Sequence, residues 1–192
     1  MSDFINTIDI LGEQTVEDLY LSGELTEFEE LRIDNVRREN FLSIIPSLTK
    51  AVLPLVDGDY VQQSFFKNDT LLESVSMPAL GTCYYNIFEN ATALKQVRLP
   101  SVLRMGGLAF KGCASLVALI LPNKHEVCIL GDTSNFDGSP IANGAGYIYV
   151  PRHLIDQYKA ATNWSVYAAQ FRALQDYTVD GTIDGELDES KI

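Results

Sequence analysis

Leu72, Leu94 and Leu116 stand 22 residues apart, and so do Pro78, Pro100 and Pro122. Phe66, Phe88 and Phe110 keep the same interval. A chain that returns to the same side chains at a fixed period of about 20–50 residues places them in a repeated environment, and this calls for stacked units. Such a stack offers a broad outer surface and has no need of a buried reaction chamber. One unit alone cannot bury its own apolar face, so each must be stabilised by its neighbours and by capped ends.

Aligned on Leu-x-x-Val-x-Leu-Pro, six rungs emerge: residues 25–31, 48–54, 72–78, 94–100, 116–122 and 145–151. The first lacks its proline and the last begins at Ala145. Each rung ends in the apolar–polar alternation of a half-buried strand, with Val75 and Met77 predicted inward and Ser74 and Ser76 outward. The proline has no N–H to donate, so it ends the strand and starts the return path. Five residues before each phenylalanine stands another apolar residue: Val36 before Phe41, Val61 before Phe66, Cys83 before Phe88, Met105 before Phe110. The rings of Phe41, Phe66, Phe88 and Phe110 are predicted to stack as an internal column. The fold class that follows is an α+β solenoid, a leucine-rich-repeat superhelix of about six coils with short parallel strands and helical N- and C-terminal caps.

The ends differ from the body. Residues 9–21 predict an amphipathic helix with Ile10, Leu11, Val16, Leu19 and Leu21 on the covered side. Pro151 predicts a helical start running through Ala161. Thr162 and Asn163 then predict an N-cap for a second helix over 164–174, whose Trp164, Tyr167 and Phe171 join Tyr158 to seal the last coil. The organisation is therefore an N-terminal cap over 1–24, the solenoid over 25–151, a helical C-terminal cap over 152–175 and an acidic tail over 176–192.

Charge is placed as unevenly as hydrophobicity. The net charge is −12. Residues 1–31 hold nine acids and no Lys or Arg, and residues 176–192 hold six acids against Lys191. Acidic flanks repel phosphate, and a nucleic-acid surface needs a clustered basic face, so no nucleic-acid partner is expected. No stretch of about 18 apolar residues exists, so no membrane insertion is expected either. The N-terminus lacks the basic and apolar regions of a secretory leader, and the expected site of synthesis is reducing. Cys83, Cys113 and Cys128 are odd in number and lack metal-type spacing, which predicts buried reduced thiols.

Catalytic chemistry finds little to work with. Only His125 and His153 are present, and there is no H-E-x-x-H, P-loop, G-x-S-x-G or G-x-G-x-x-G pattern. Asp57-Gly58-Asp59 lacks the remainder of a calcium loop and reads as an insertion. The triplets beginning at Asn68, Asn90 and Asn163 fit glycosylation acceptors, but the first two fall at the same repeat position, where a turn-forming asparagine explains them. No enzyme activity, catalytic residue, metal or cofactor is expected. A glycan-directed hydrolase would need an acid pair in a cleft, and no spacing supplies one.

The strand residues predicted to face outward form two columns. One runs Glu29, Val52, Ser76, Arg98, Ile120, Tyr149; the other runs Glu27, Lys50, Ser74, Gln96, Ala118, Tyr147. Aromatic and arginine side chains dominate binding hot spots, so the candidate partner-binding residues are Lys50, Val52, Ser74, Ser76, Gln96, Arg98, Ile120, Tyr147 and Tyr149. Ile120 and Tyr149 are expected to expose large side chains beside Arg98, unless the cap or the 123–144 loop covers them.

The stretch from Leu94 to Leu116, with Gly106, Ala109, Phe110 and Cys113, resembles the BspA-type leucine-rich repeats, also seen in treponemal surface proteins. Gly146-Tyr147-Ile148-Tyr149-Val150-Pro151 followed by Tyr158 to Trp164 is similar to the closing cap of such proteins in anaerobic gut bacteria and their phages or prophages. The resemblance spans about residues 25–175. Two extra residues around Asp57-Gly58-Asp59, the long 121–145 stretch without a clean A-F-x-x-C, and a degenerate 32–47 segment depart from it. The resemblance implies a protein-binding or structural module, a virion-associated phage tail or baseplate component contacting other virion proteins or the host surface, with homo-oligomers among the expected assemblies. The alternative it implies is a bacterial cell-surface adhesin.

Overall fold

The structure, a computed structural model, describes residues 7–10, 30–33, 49–52 and 64–174, the first two stretches and Val52 by backbone alone. The described residues form a mixed α/β arrangement of parallel strands in two sheets, with few helices and no closed barrel among them. The strands are β1 (Thr7–Ile10), β2 (Glu30–Ile33), β3 (Lys50–Val52), β4 (Ser74–Ser76), β5 (Thr82–Cys83), β6 (Gln96–Arg98), β7 (Arg104–Met105), β8 (Ala118–Ile120), β9 (Ile129–Leu130), β10 (Tyr147–Val150) and β11 (Phe171–Ala173). The larger sheet has the order β1-β2-β3-β4-β6-β8-β10-β11, and the smaller β5-β7-β9. From β4 to β10 the chain alternates between the sheets, so each circuit adds one strand to each.

Register follows the sequence period. Val75 pairs with Val97, Val97 with Leu119, and Leu119 with Ile148. All four are buried, as are Met77, Leu99, Leu121 and Val150 two residues on. Leu72, Leu94 and Leu116 are buried too. In the smaller sheet Cys83 pairs with Met105 and Met105 with Leu130, all three facing the same interior. The core is therefore the space between the sheets.

The Phe66, Phe88, Phe110 and Phe136 rings stack at 5.0, 5.1 and 5.4 Å, within 10° of parallel. Phe41, Val36 and Val61 lie outside the described residues. Phe136 extends the predicted column by one ring. It stands 26 residues after Phe110 because its circuit carries an insertion, and Asn135-Phe136-Asp137-Gly138-Ser139 replaces Ala109-Phe110-Lys111-Gly112-Cys113. The polar substitutes are satisfied: Asn135 Oδ1 accepts from the Ala109 N–H at 2.8 Å, and Asn135 Nδ2 donates to the Asp132 carbonyl at 3.1 Å.

A second column runs through the turns. Asn68, Asn90, Gly112 and Gly138 all have left-handed φ, between 61° and 77°. Asn90 Nδ2 donates to Asn68 Oδ1 at 3.1 Å, as expected of a turn-forming asparagine. Gly112 replaces the amide because a Cβ there would run into Asn90 Oδ1. Salt bridges Lys67–Glu89 at 2.6 Å and Lys95–Glu73 at 2.7 Å join adjacent circuits on the outside.

Four expectations are corrected. The large sheet holds eight strands among the described residues where six rungs are predicted, because β1 and β11 add to it at either end. Asp9 and Ile10 belong to β1, not to a helix, since Thr7-Ile8-Asp9-Ile10 alternates with period two; residues 11–21 lie outside the described set. The first predicted rung is shifted by three: Glu30 and Arg32, not Glu27 and Glu29, pair with Lys50 and Val52. The shift pairs Leu31 with buried Ala51 in register. Residues 27 and 29 lie outside the described set.

The fourth correction concerns 164–174. After a 3-10 turn at Arg152–Leu154 and α1 (Ile155–Ala160), Asn163 adopts φ of 63° instead of capping a helix. A kinked 3-10 segment, Ser165–Gln170, then leads into β11. A strand satisfies the open edge of β10, which a helix would leave unpaired. The aromatic seal is as predicted: Tyr158, Trp164, Tyr167 and Phe171 are buried.

Candidate functional site

The edge of the smaller sheet is closed by side chains. Tyr158 Oη accepts from the Cys128 N–H at 3.0 Å, Trp164 Nε1 donates to the Cys128 carbonyl at 2.6 Å, and Asn163 Nδ2 donates to the Leu130 carbonyl at 2.8 Å. Tyr167 Oη donates to the Thr133 carbonyl. Backbone groups that another strand would have paired are thereby met by the 152–174 segment. This end of the molecule is a seal, and its aromatics are committed to packing.

The large sheet brings the candidate partner-binding residues together on its outer face. Lys50, Ser74, Gln96, Ala118 and Tyr147 form one column by register; Val52, Ser76, Arg98, Ile120 and Tyr149 form the next. Gln96 Nε2 donates to Ser74 Oγ at 3.2 Å, so the first column is linked between strands. Lys50, Ser74, Gln96, Tyr147 and Tyr149 are half-buried.

Exposure differs from expectation in the second column. Ile120 is 0% exposed and Arg98 8%, and Ser76 is buried too. For Ile120 the cause is packing above the sheet as well as within it. Tyr149 and Leu174 lie against Ala118 and Ile120, forming a small apolar cluster separate from the core between the sheets. Of the two alternatives left open for Ile120, coverage by the C-terminal segment is the one found.

Arg172 completes this corner, and the sequence reading missed it by placing it on a helix. It pairs with Tyr149 in register, and its guanidinium carbon sits 4.2 Å from the centre of the Tyr147 ring, a cation–π contact. Its Nη1 also donates to the Ala169 and Phe171 carbonyls, both at 2.8 Å. Tyr147 and Tyr149 meet edge to face at 6.4 Å. The signal in the chain is the apolar–polar–apolar Phe171-Arg172-Ala173, which repeats Ile148-Tyr149-Val150.

Titratable chemistry is sparse elsewhere. Burial pushes the Cys113 and Cys128 thiols up to about 12 and Cys83 well above its ordinary value, which keeps all three protonated and poorly nucleophilic. Cys113 Sγ donates to the Phe88 carbonyl at 3.0 Å, a structural use. The Asp132 carboxyl is held below its usual range by the Ser134 N–H, to which it is the N-cap of a 3-10 turn. His153 Nε2 lies 3.0 Å from the Lys124 carbonyl. His125 lines an open groove of about 430 Å³ between Pro100, Ser101 and Leu103 on one wall and residues 122–126 on the other. Among the described residues no group of three His, Cys, Asp or Glu side chains is placed to hold a metal ion, and no helix is long and apolar enough to cross a membrane.

The outer face of the large sheet is therefore the surface on which most of the candidate residues converge, a strip in which Lys50, Ser74, Gln96, Tyr147 and Tyr149 are half-buried and Ser76, Arg98 and Ile120 are buried. Set against protein-family models, curated proteins and solved structures, the chain matches none of them.

Proposed function

We propose that the chain is a non-enzymatic binding and structural module, a leucine-rich-repeat solenoid of the BspA type that works through the outer face of its large sheet. The observation that carries this reading is the register of that face. Parallel strands in matched register bring Ser74, Gln96 and Tyr147, and beside them Ser76, Arg98 and Tyr149, from circuits distant in sequence onto one continuous strip. A strip of this kind suits an extended protein partner, with Tyr147 and Tyr149 as anchors and the polar groups setting register. The cysteines, neutral and enclosed, favour binding over catalysis as the role of the fold.

By the resemblance of its repeat and its closing segment, the module belongs in a phage tail or baseplate, contacting other virion proteins or the host surface, with homo-oligomerisation a natural consequence of tail symmetry. Mass spectrometry of purified particles, together with envelope binding by the full chain, tests this. Recovery in particles, and loss of capture on Tyr147→Ala and Gln96→Ala without a change in melting, is expected. A lone monomer that is absent from particles and binds no envelope contradicts it. Retention on cells or matrix without incorporation into particles would assign the module to surface adhesion instead.

A further inference from the structure

β11 is the last strand of the large sheet, and the described residues place no strand beyond it. Which of its backbone groups face outward follows from register. The Tyr147 N–H donates to the Val117 carbonyl at 2.8 Å and the Leu121 N–H donates to the Tyr149 carbonyl at 2.9 Å. Tyr147 and Tyr149 therefore turn their backbone groups toward β8. Successive residues of a strand alternate sides, so Ile148 and Val150 turn theirs toward β11. Arg172 stands opposite Tyr149 and faces its backbone to β10, while Phe171 and Ala173 present their N–H and carbonyl groups to the outer edge.

An edge of this kind is a template for another strand. The side chains flanking Arg172 give it no protection, because Phe171 and Ala173 are buried in the core. At the opposite end of the sheet lies β1, and every pairing between the two is parallel. A second copy laying its β1 along β11 would continue that parallel order. Contact between two different surfaces that repeats without closing builds an open fibre.

Arg172 stands in the way. Its Nη1 donates to the carbonyls of Phe171 and Ala169, both at 2.8 Å, and the first of these is an edge-facing acceptor. Its guanidinium carbon lies 4.2 Å from the centre of the Tyr147 ring, which pins the side chain in this bent course. The acceptor that a new strand needs is thereby occupied, and beside it sits a cation that costs free energy to strip of water. The smaller sheet closes its edge with Tyr158, Asn163 and Trp164; the larger closes its own with a charge.

We infer that Arg172 guards the outer edge of the large sheet, and that without it a second copy of this chain adds end to end along β11. The guard acts at the edge and is independent of any partner held by the outer face.

Sedimentation of the full chain over a range of concentrations, joined to amide exchange read residue by residue, tests this. In the dilute parent the Phe171 and Ala173 amides are expected to exchange fast and the Arg172 amide slowly. Arg172→Ala is expected to form larger species as concentration rises. Its amide at position 172 stays slow, while those of Phe171 and Ala173 slow by at least about tenfold as a neighbouring strand covers them. Protected Phe171 and Ala173 amides in the dilute parent overturn the inference without any variant, because the edge is then covered by something else. A variant that sediments like the parent at every concentration overturns it too, and so does association that leaves those two amides fast. Should β11 fray in the alanine variant, Tyr147→Leu keeps Arg172 but removes the ring that pins it, with the same expected and contrary results.

Discussion

The Phe88 and Phe110 rings lie 5.1 Å apart and 9° from parallel, although 22 residues of chain separate them. Both are wholly buried, and each belongs to a different circuit between the sheets. Their contact converts a period in the sequence into adhesion between neighbours.

Removing one ring from the middle of this column should be costly. Phe88→Ala leaves a cavity between Phe66 and Phe110 that the flanking circuits cannot collapse to fill, so a loss of about 3–5 kcal/mol is expected in urea unfolding. A melt indistinguishable from the parent would mean the column does not support the fold.

The turn column predicts a sharp difference between two glycines. Gly112 has φ of 73° and no room for a Cβ beside Asn90, whereas a Cβ on Gly81 meets nothing within 4 Å. Gly112→Ala should therefore cost at least about 1–2 kcal/mol from the left-handed backbone alone, with Gly81→Ala near neutral. Paired denaturation curves measure both.

Leu108 points the other way. It holds φ of 60°, a conformation ill suited to leucine, directly after Asn86 in the series Ser64, Asn86, Leu108, and the Asn86 Oδ1 is buried without a hydrogen bond. Leu108→Asn relieves the backbone and can donate to that oxygen, as Asn90 does to Asn68. Stabilisation of about 1 kcal/mol is expected. Thermal shift against the parent, with Leu108→Ala as control, checks it.

How much of this was legible in the chain depended on which forces wrote the pattern. The column from Phe66 to Phe110 could be read because each circuit repeats one interior environment with an unchanged number of residues. Phe136 could not, because an insertion moved it to 26 residues and Asn135 and Ser139 replaced the small residue and the cysteine that mark the motif. Ile8 and Ile10 alternate as a strand should, but Leu11 and Val16 after them suggested a helical stripe. Phe171 to Ala173 was likewise hidden by the aromatics of a segment that seals the core. The outer face was legible as two columns, since register fixes which residues align. Its exposure was not, because Leu174 covers Ile120 from another part of the chain.

The cap carries its own test. Tyr158→Phe keeps the ring but leaves the buried Cys128 N–H without an acceptor, so a loss of about 1–3 kcal/mol is expected. Proton exchange at the Cys128 amide should accelerate in the same variant. An unchanged midpoint and unchanged exchange would mean that the edge of the smaller sheet is closed in another way.

Buried thiols add a pH dependence. Cys113 and Cys128 ionise near 9 when unfolded and near 12 when folded. Their contribution to stability is complete below pH 9 and declines as pH rises towards 12, because only the unfolded chain releases the protons in that window. Urea midpoints should therefore fall between pH 9 and 11. Thiol reagents should react slowly in buffer and fast in denaturant; rapid native labelling of all three cysteines would contradict their placement.

The most direct measurement of the stacked arrangement is a nuclear Overhauser spectrum of the full chain with phenylalanine rings selectively labelled. Cross-peaks are expected between Phe66 and Phe88, Phe88 and Phe110, and Phe110 and Phe136, with none between Phe66 and Phe110. Rings that show no such serial contacts, or that contact one another out of order, would contradict the account.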